Sequence, residues 1–330
     1  MRMNSVVVAV DVMGGDNAPS VVLDGIDLAL EKHPALEIVA VGNKEIVEPF
    51  ANARDRVLPC VSTETIAMDE HPAEAVRKKK DASIVVGCRL VKEQQAQGFF
   101  SAGSTGACLA AATLGIGRAK GVKRPVLATV VPAPSRPIVF GDIGANADCK
   151  PEYLVQFAAM LTIFASKMLE RDNPHVALLN IGTEDTKGSM FAQEAFTLLR
   201  EQLPNFVGNC EGSDIIKGTY DVVVTDGFTG NVCLKTIEGT AGVLLHEIKA
   251  IMTKSLLTKL GALPLMTPLK ELKTAIDPDT YGGAPLLGLK GTVLIGHGSS
   301  TPQAIANGIL TTGRMIEEDV VATIEERFAL

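Results

Sequence analysis

Tryptophan is absent from this chain, and aromatic residues make up only 4% of it. Binding of single-stranded nucleic acid relies on aromatic stacking platforms, and the net charge of −7 disfavours a phosphate backbone as partner. Nucleic acid is therefore not an expected ligand. No apolar run reaches the roughly 18 residues of a membrane span. The N-terminus, where Arg2 is followed by a short strand-like run and then Asp11, does not resemble a signal peptide, so the chain is expected in the cytoplasm. Six cysteines, at 60, 88, 108, 149, 210 and 233, show no CxxC spacing. Neither a zinc site nor a disulfide framework is indicated, and all six read as free thiols. Also missing are the GxGxxG turn of dinucleotide sites, the Walker A loop and the GxSxG nucleophile elbow. No cofactor is expected.

What is present is aliphatic material: 46% of the 330 residues are hydrophobic, ample for a large core. The chain is organised around residues 221–239, DVVVTDGFTGNVCLKTIEG. Val222, Val223 and Val224 read as a strand buried on both faces of a parallel sheet. Asp226, Gly227 and Gly230 supply a turn, and Leu234 and Ile237 resume at helical spacing from Asn231 onward. The same plan, an apolar run broken by a small-residue turn, recurs at 6–19, 99–111, 138–146, 177–188 and 293–304. The pattern predicts a doubly wound α/β fold, a mostly parallel sheet with helices on both faces. Its glycine turns are expected to collect on one edge of the sheet and enclose a cleft, where amides and the positive end of the helix dipole at 227–231 would hold an anion such as phosphate.

No linker or compositional shift marks a boundary, so residues 1–330 read as one catalytic module, open to division into two lobes. A helix from 242 to 260 places Leu245, Ile248, Met252, Leu256 and Leu260 on one stripe, with Lys249, Lys254 and Lys259 elsewhere on its surface. Gly261 and Pro264 are expected to end it. Lys270 and Lys273 accompany the apolar run that follows, and the amphipathic segment 243–273 suits a dimer contact, core packing or a lipid surface. Two basic segments stand out in the acidic chain. In the first, Arg77, Lys78, Lys79 and Lys80 precede Asp81 and Ser83, read as caps of a new helix. The second holds Arg118, Lys120, Lys123 and Arg124. Such runs are either solvated faces or a dock for an acidic partner.

The residues assigned to the cleft are Gly103, Ser104, Thr105, Gly106, Asn146, Asp226, Gly227, Gly230 and His297. Lys187 would bring an ammonium to the same edge and neutralise a phosphate or an oxyanion, or stand as an exposed loop lysine. Asn231 would either cap the central helix or donate to an oxyanion. His297 reads as a base or a hydrogen-bonded spacer. Cys233, one turn into that helix, reads as a small hydrophobe. Asp11, Asp16, Asp142 and Asp226 sit singly at different turns, the pattern of aspartates that accept backbone amides. No metal site is assigned.

The chain resembles the acyl-acyl-carrier-protein:phosphate acyltransferases, the PlsX family, over nearly its whole length. The motifs are DVMGGDNAP at 11–19, AVRKKKDAS at 75–83, SAGSTGA at 101–107, DIGAN at 142–146, NIGTEDTKG at 180–188, DGFTGNVCLKTIEG at 226–239, YGGAPLLGLKG at 281–291 and HGSS at 297–300. The resemblance implies a fold like phosphate acetyltransferases and isocitrate dehydrogenase, and reversible transfer of a fatty acyl group from the carrier-protein thioester to inorganic phosphate, giving acyl phosphate for phospholipid synthesis. It implies a homodimer loosely associated with the inner membrane surface. Lys187 and Asn231 match family positions and are assigned to phosphate and oxyanion contacts. Arg77, Lys78, Lys79, Arg118, Lys123 and Arg124 are assigned to docking of acyl-carrier protein. Rival readings are a coenzyme A-dependent phosphate acetyltransferase, an isocitrate-dehydrogenase-like oxidoreductase and a non-catalytic acyl-carrier or membrane adaptor.

Overall fold

The computed structural model describes residues 5–275 and 280–329. Strand β1 (Val6–Asp11) leads through α1 (Ser20–Lys32) to β2 (Leu36–Gly42), and α2 (Lys44–Asn52) leads to β3 (Val57–Val61). Val6, Val8 and Val10 of β1 enter the core on one face of the sheet, Val7 and Ala9 the core on the other. This is the period of two that a β-strand imposes. Helices α3 (Pro72–Lys78) and α4 (Ser83–Lys92) precede β4 (Gly98–Ser101), followed by α5 (Thr105–Gly115), β5 (Val126–Val131) and β6 (Ile138–Gly141). Then come α6 (Pro151–Met168), β7 (Val176–Leu179), α7 (Met190–Gln202), β8 (Phe206–Cys210), α8 (Gly212–Lys217) and β9 (Val222–Val224). The long α9 (Gly227–Thr253), α10 (Leu256–Ala262), a 3₁₀ turn (Leu263–Leu265) and α11 (Met266–Ala275) form an arm, and β10 (Ala284–Leu287), β11 (Thr292–Ile295), α12 (Pro302–Glu317) and α13 (Val320–Ala329) close the chain.

The strands form one sheet in the order β3-β2-β1-β4-β11-β10-β5-β6-β9-β7-β8. Pairing is parallel from β3 to β11 and again from β6 to β8, as expected. Between these blocks, β11 to β10, β10 to β5 and β5 to β6 are all antiparallel. Three reversals leave the two parallel blocks running in opposite directions. The glycine turns therefore do not share one edge: those after β1, β4 and β11 belong to one block, those after β6, β7 and β9 to the other, and the two sets meet across the central strands.

The helix expected over 242–260 is two helices. The hydroxyl of Ser255 accepts from the Thr258 amide at 3.1 Å, and Thr258 Oγ1 accepts from the Ser255 amide at 2.9 Å. This reciprocal cap starts α10 afresh. Gly261 lies within α10 rather than ending it, and the expected break falls at the 3₁₀ turn containing Pro264. The stripe is not packed into the core: Ile248 and Leu260 are 39% and 60% exposed, and Leu245 and Met252 are only half-buried. The side chains of Leu256 and Lys273 lie outside the described residues. Neither Asp81 nor Ser83 caps α4: Ala82 occupies the cap position, and the Asp81 carboxylate accepts instead from the amide and hydroxyl of Thr63, at 2.9 and 2.6 Å.

Candidate active site

A cavity of about 610 Å³ opens where the two blocks meet. One wall is the start of α5. Ser104 is its cap, accepting from the Ala107 amide at 3.4 Å, while Thr105 and Gly106 line the cavity. Their amides are first-turn donors without an intrahelical acceptor, the arrangement that suits an oxyanion. The turn between β11 and α12 adds His297, Ser299 and Ser300. The Ser299 amide donates to His297 Nδ1 at 3.3 Å, and the Ser299 hydroxyl lies 2.8 Å from the same nitrogen. Nδ1 is thus an acceptor, so in the neutral ring Nε2 carries the proton and is a donor. The opposite wall is α9, which presents Asn231, Leu234 and Lys235. Asn231 and Lys235 are four apart and share a helix face, and Lys235 Nζ is 2.7 Å from Glu238.

The anion expected at the start of α9 has no vacant donors there. Asp226 is the cap, and its carboxylate accepts from the amides of Phe228 and Thr229 at 3.1 and 2.9 Å. The Gly227 amide donates to the Asn146 carbonyl, and that of Gly230 to the Asp226 carbonyl, both at 2.9 Å. A carboxylate already occupies the positive end of this dipole. The cap alternative for Asn231 falls with this, since Asn231 sits inside the helix. Gly227 and Gly230 are glycines because the helix abuts the turn after β6: a Cβ at Gly227 would lie 2.6 Å from the Asn146 carbonyl, and one at Gly230 would run into the carbonyl of Asp142.

Asp142 organises that turn. Fully buried, its carboxylate accepts from the amides of Leu127, Gly144, Ala145 and Asn146 and from the Asn146 side chain, at 2.8–3.2 Å. Burial pushes its pKa up, and these donors oppose the rise. Asn146 also donates to the Pro125 carbonyl at 2.8 Å. It therefore ties the junction together rather than lining the cavity. Gly103, just before the cap of α5, is buried and does not line the cavity either.

Lys187 does not line this cavity. It is exposed, 3.8 Å from Glu184, in the loop beside a second cavity of about 490 Å³ that Gly188, Phe228, Val232 and Cys233 help to line. The first turns of α9 separate that loop from the face bearing Asn231. Burial raises the Cys233 thiol, as fits a small hydrophobe. Among the described residues no three His, Cys, Asp or Glu side chains converge as metal ligands. The basic segments are partly neutralised: Lys78 and Lys79 each lie 2.6 Å from a carboxylate, of Glu74 and Glu70, and Lys123 lies 4.0 Å from Glu152. Arg77 and Arg124 are exposed. Lys235, Ser299 and Ser300 were not among the expected cleft residues. The period of the helix that carries Asn231 already pointed to Lys235.

A family model described as "Fatty acid synthesis protein" matches residues 6–323. A phosphate acyltransferase of Desulfitobacterium hafniense is 47% identical over 323 residues, covering 97% of this chain and 96% of the relative. One of Thermoanaerobacterium thermosaccharolyticum is 43% identical, with 98% and 97% covered. In fold, the chain matches a phosphotransacetylase from Streptococcus pyogenes (TM-score 0.62, 20% identity, 95% and 94% covered) and a branched-chain phosphotransacylase from Enterococcus faecalis (TM-score 0.58, 13% identity, 94% and 99% covered). No helix of the described residues is long and apolar enough to cross a membrane. Matched from end to end by relatives that carry one name, the chain belongs to the phosphate acyltransferase family and is a transferase.

Proposed function

We propose that the chain transfers a fatty acyl group reversibly from the thioester of acyl-carrier protein to inorganic phosphate, forming acyl phosphate for phospholipid synthesis. The observation that carries this reading is the convergence of first-turn amides of α5, the His297 to Ser300 turn and the Asn231 and Lys235 face on one cavity. Leu109, Leu127, Ile143 and Ile295 give the same cavity an apolar wall, suited to the carbon chain next to the thioester. Phosphate held at Thr105 and Gly106, with Lys235 offsetting its charge, attacks the carbonyl carbon through one oxygen. Asn231 and the Nε2 proton of His297 donate to the tetrahedral oxyanion. Collapse of that intermediate breaks the C–S bond, and the thiolate leaves with the carrier protein. Positioning supplies most of the rate, and no covalent acyl-enzyme is required. Lys187 is assigned to the incoming phosphate, from the neighbouring rim.

The acidic carrier protein is assigned to the face of Arg77, Lys78, Lys79, Arg118, Lys123 and Arg124, whose charge would speed encounter. The exposed apolar arm of α9 and α10 is assigned to the homodimer contact and to loose attachment to a membrane surface. The test is to mix acylated carrier protein with phosphate and trap acyl phosphate with hydroxylamine. Formation of acyl hydroxamate in step with thiol release supports the reading. Acyl phosphate from acyl-coenzyme A alone would replace the donor, and none from either thioester would end the proposal.

A further inference from the structure

The loop after β1, DVMGGDNAP, supplies no residue to the cavity, yet it carries a buried carboxylate. Asp11 is 1% exposed and Ser101, at the end of β4, is 0% exposed. Asp11 Oδ1 accepts from the Met13 amide at 3.0 Å, Asp11 Oδ2 accepts from the Ser101 hydroxyl at 2.7 Å, and Ser101 Oγ accepts from the Gly103 amide at 3.0 Å. The relay ends at Gly103, just before the cap of α5 and the two residues, Thr105 and Gly106, that line the cavity. Gly14 is what admits it: a Cβ there would stand 2.5 Å from Asp11 Oδ2 and 2.8 Å from the Gly103 nitrogen. The same loop reaches the second turn of the site, where the Asp16 amide donates to the Gly298 carbonyl at 2.8 Å. A single loop thus braces both turns, one through a side-chain relay and one through its backbone. Burial raises the Asp11 pKa, against the Ser83 and Ser101 hydroxyls and the Met13 and Gly14 amides. A carboxylate held dry is a poor source of stability, and a neutral pair could close an ordinary turn.

We propose that Asp11 and Ser101 are positioning residues for the phosphate cradle: their relay fixes the SAGSTG turn so that the Thr105 and Gly106 amides stay aimed into the cavity. This rests on the reading of those amides as phosphate donors. The experiment compares Ser101→Ala, Asp11→Asn and the double variant with the wild type in phosphate-dependent acyl transfer, with amide hydrogen exchange over residues 103–107. KM for phosphate is expected to rise roughly tenfold in each single variant and less than multiplicatively in the double, as linked groups do. KM for the acyl donor should stay within about twofold, a split that general destabilisation would not produce. Exchange over 103–107 should accelerate while that of the other strand ends does not. KM is independent of the folded fraction, so Ser101→Ala decides even if Asp11→Asn yields little protein. An unchanged phosphate KM in Ser101→Ala overturns the inference. If the wild type shows no dependence on phosphate, the functional reading fails instead. The exchange arm then decides the brace, with faster exchange sustaining it and unchanged exchange overturning it.

Discussion

Replacing Asp142 by asparagine is expected to loosen the junction between the two sheet blocks and to displace the face of α9 that carries Asn231. One carboxylate oxygen accepts from the Leu127, Gly144 and Ala145 amides, and the other from the backbone and side chain of Asn146, both at 2.8 Å. With the carboxamide oxygen at the three-donor position, its NH₂ group faces two donors. Two charge-assisted bonds are then lost, roughly 1.5–3 kcal/mol each, and relief from burying a charge offsets part of this, leaving a net loss of about 2–4 kcal/mol. At about 2.1 cal/mol/K per residue, the unfolding entropy of a 330-residue chain converts that to a Tm fall of roughly 3–6 °C. The turn also touches the site: a Cβ at Gly144 would lie 3.6 Å from Asn231 Nδ2, and Gly227 and Gly230 pack on Asp142 and Asn146. Movement of Asn231 by about 1 Å is expected to lower kcat/KM on the order of a hundredfold. Scanning calorimetry and steady-state kinetics on the purified variant check both numbers. A Tm and a kcat/KM both equal to wild type would refute the account of Asp142 as the hub of the junction.

The raised pKa of Asp142 gives a sign for pH as well. A carboxyl whose folded pKa lies above its unfolded value of about 3.9 contributes stability below that value and loses it as pH rises through the folded pKa. Wild-type Tm should therefore fall more steeply than that of Asp142→Asn over that window, and parallel profiles would contradict the assignment. Burial pushes the Cys108 thiol up to about 12 and the Cys149 thiol to about 11, so both stay protonated at pH 8. Alkylating reagents should then leave phosphate-dependent transfer intact, as should Cys233→Ala, and loss of turnover in a folded Cys233→Ala protein would point to a thiol intermediate. Asn231→Ala should lower the rate about a hundredfold, while Lys235→Ala, and more weakly Lys187→Ala on the neighbouring rim, should act mainly on KM for phosphate. Near-normal kinetics would return the residue concerned to a surface role. Charge reversal at Arg77 and Arg124 should reduce kcat/KM for acyl-carrier protein, shrink as ionic strength rises and spare phosphate affinity, and salt-insensitive kinetics equal to wild type would remove these arginines from the docking face.

Much of the architecture was legible because buried parallel strands announce themselves: the runs of valine at β1 and β9 are apolar on both faces, and each ends in a small-residue turn. The reversal of direction was not, since the apolar pattern of β5, β10 and β11 carries no sign of which way a strand runs. At the site, Thr105, Gly106 and His297 line the cavity, whereas Gly103 and Ser104 do not. Gly227 and Gly230 were misleading for a physical reason: their missing side chains serve contact between α9 and the Asp142 turn, which in sequence looks the same as a flexible phosphate loop. Asp226, three residues before Thr229, fits the cap of that helix, and with it the helix start moves from Asn231 to Gly227. The break at Ser255 was hidden because hydrophobic spacing continues across it, although Ser255 and Thr258 stand at cap spacing.

The claim that phosphate attacks the thioester directly in the central cavity is tested most directly by a single turnover with enzyme in excess over acylated carrier protein, recording thiol release with and without phosphate. The account predicts no burst of thiol without phosphate, and release in step with acyl phosphate once phosphate is added. A stoichiometric burst in the absence of phosphate would contradict it, because the acyl group would then have moved first to the protein.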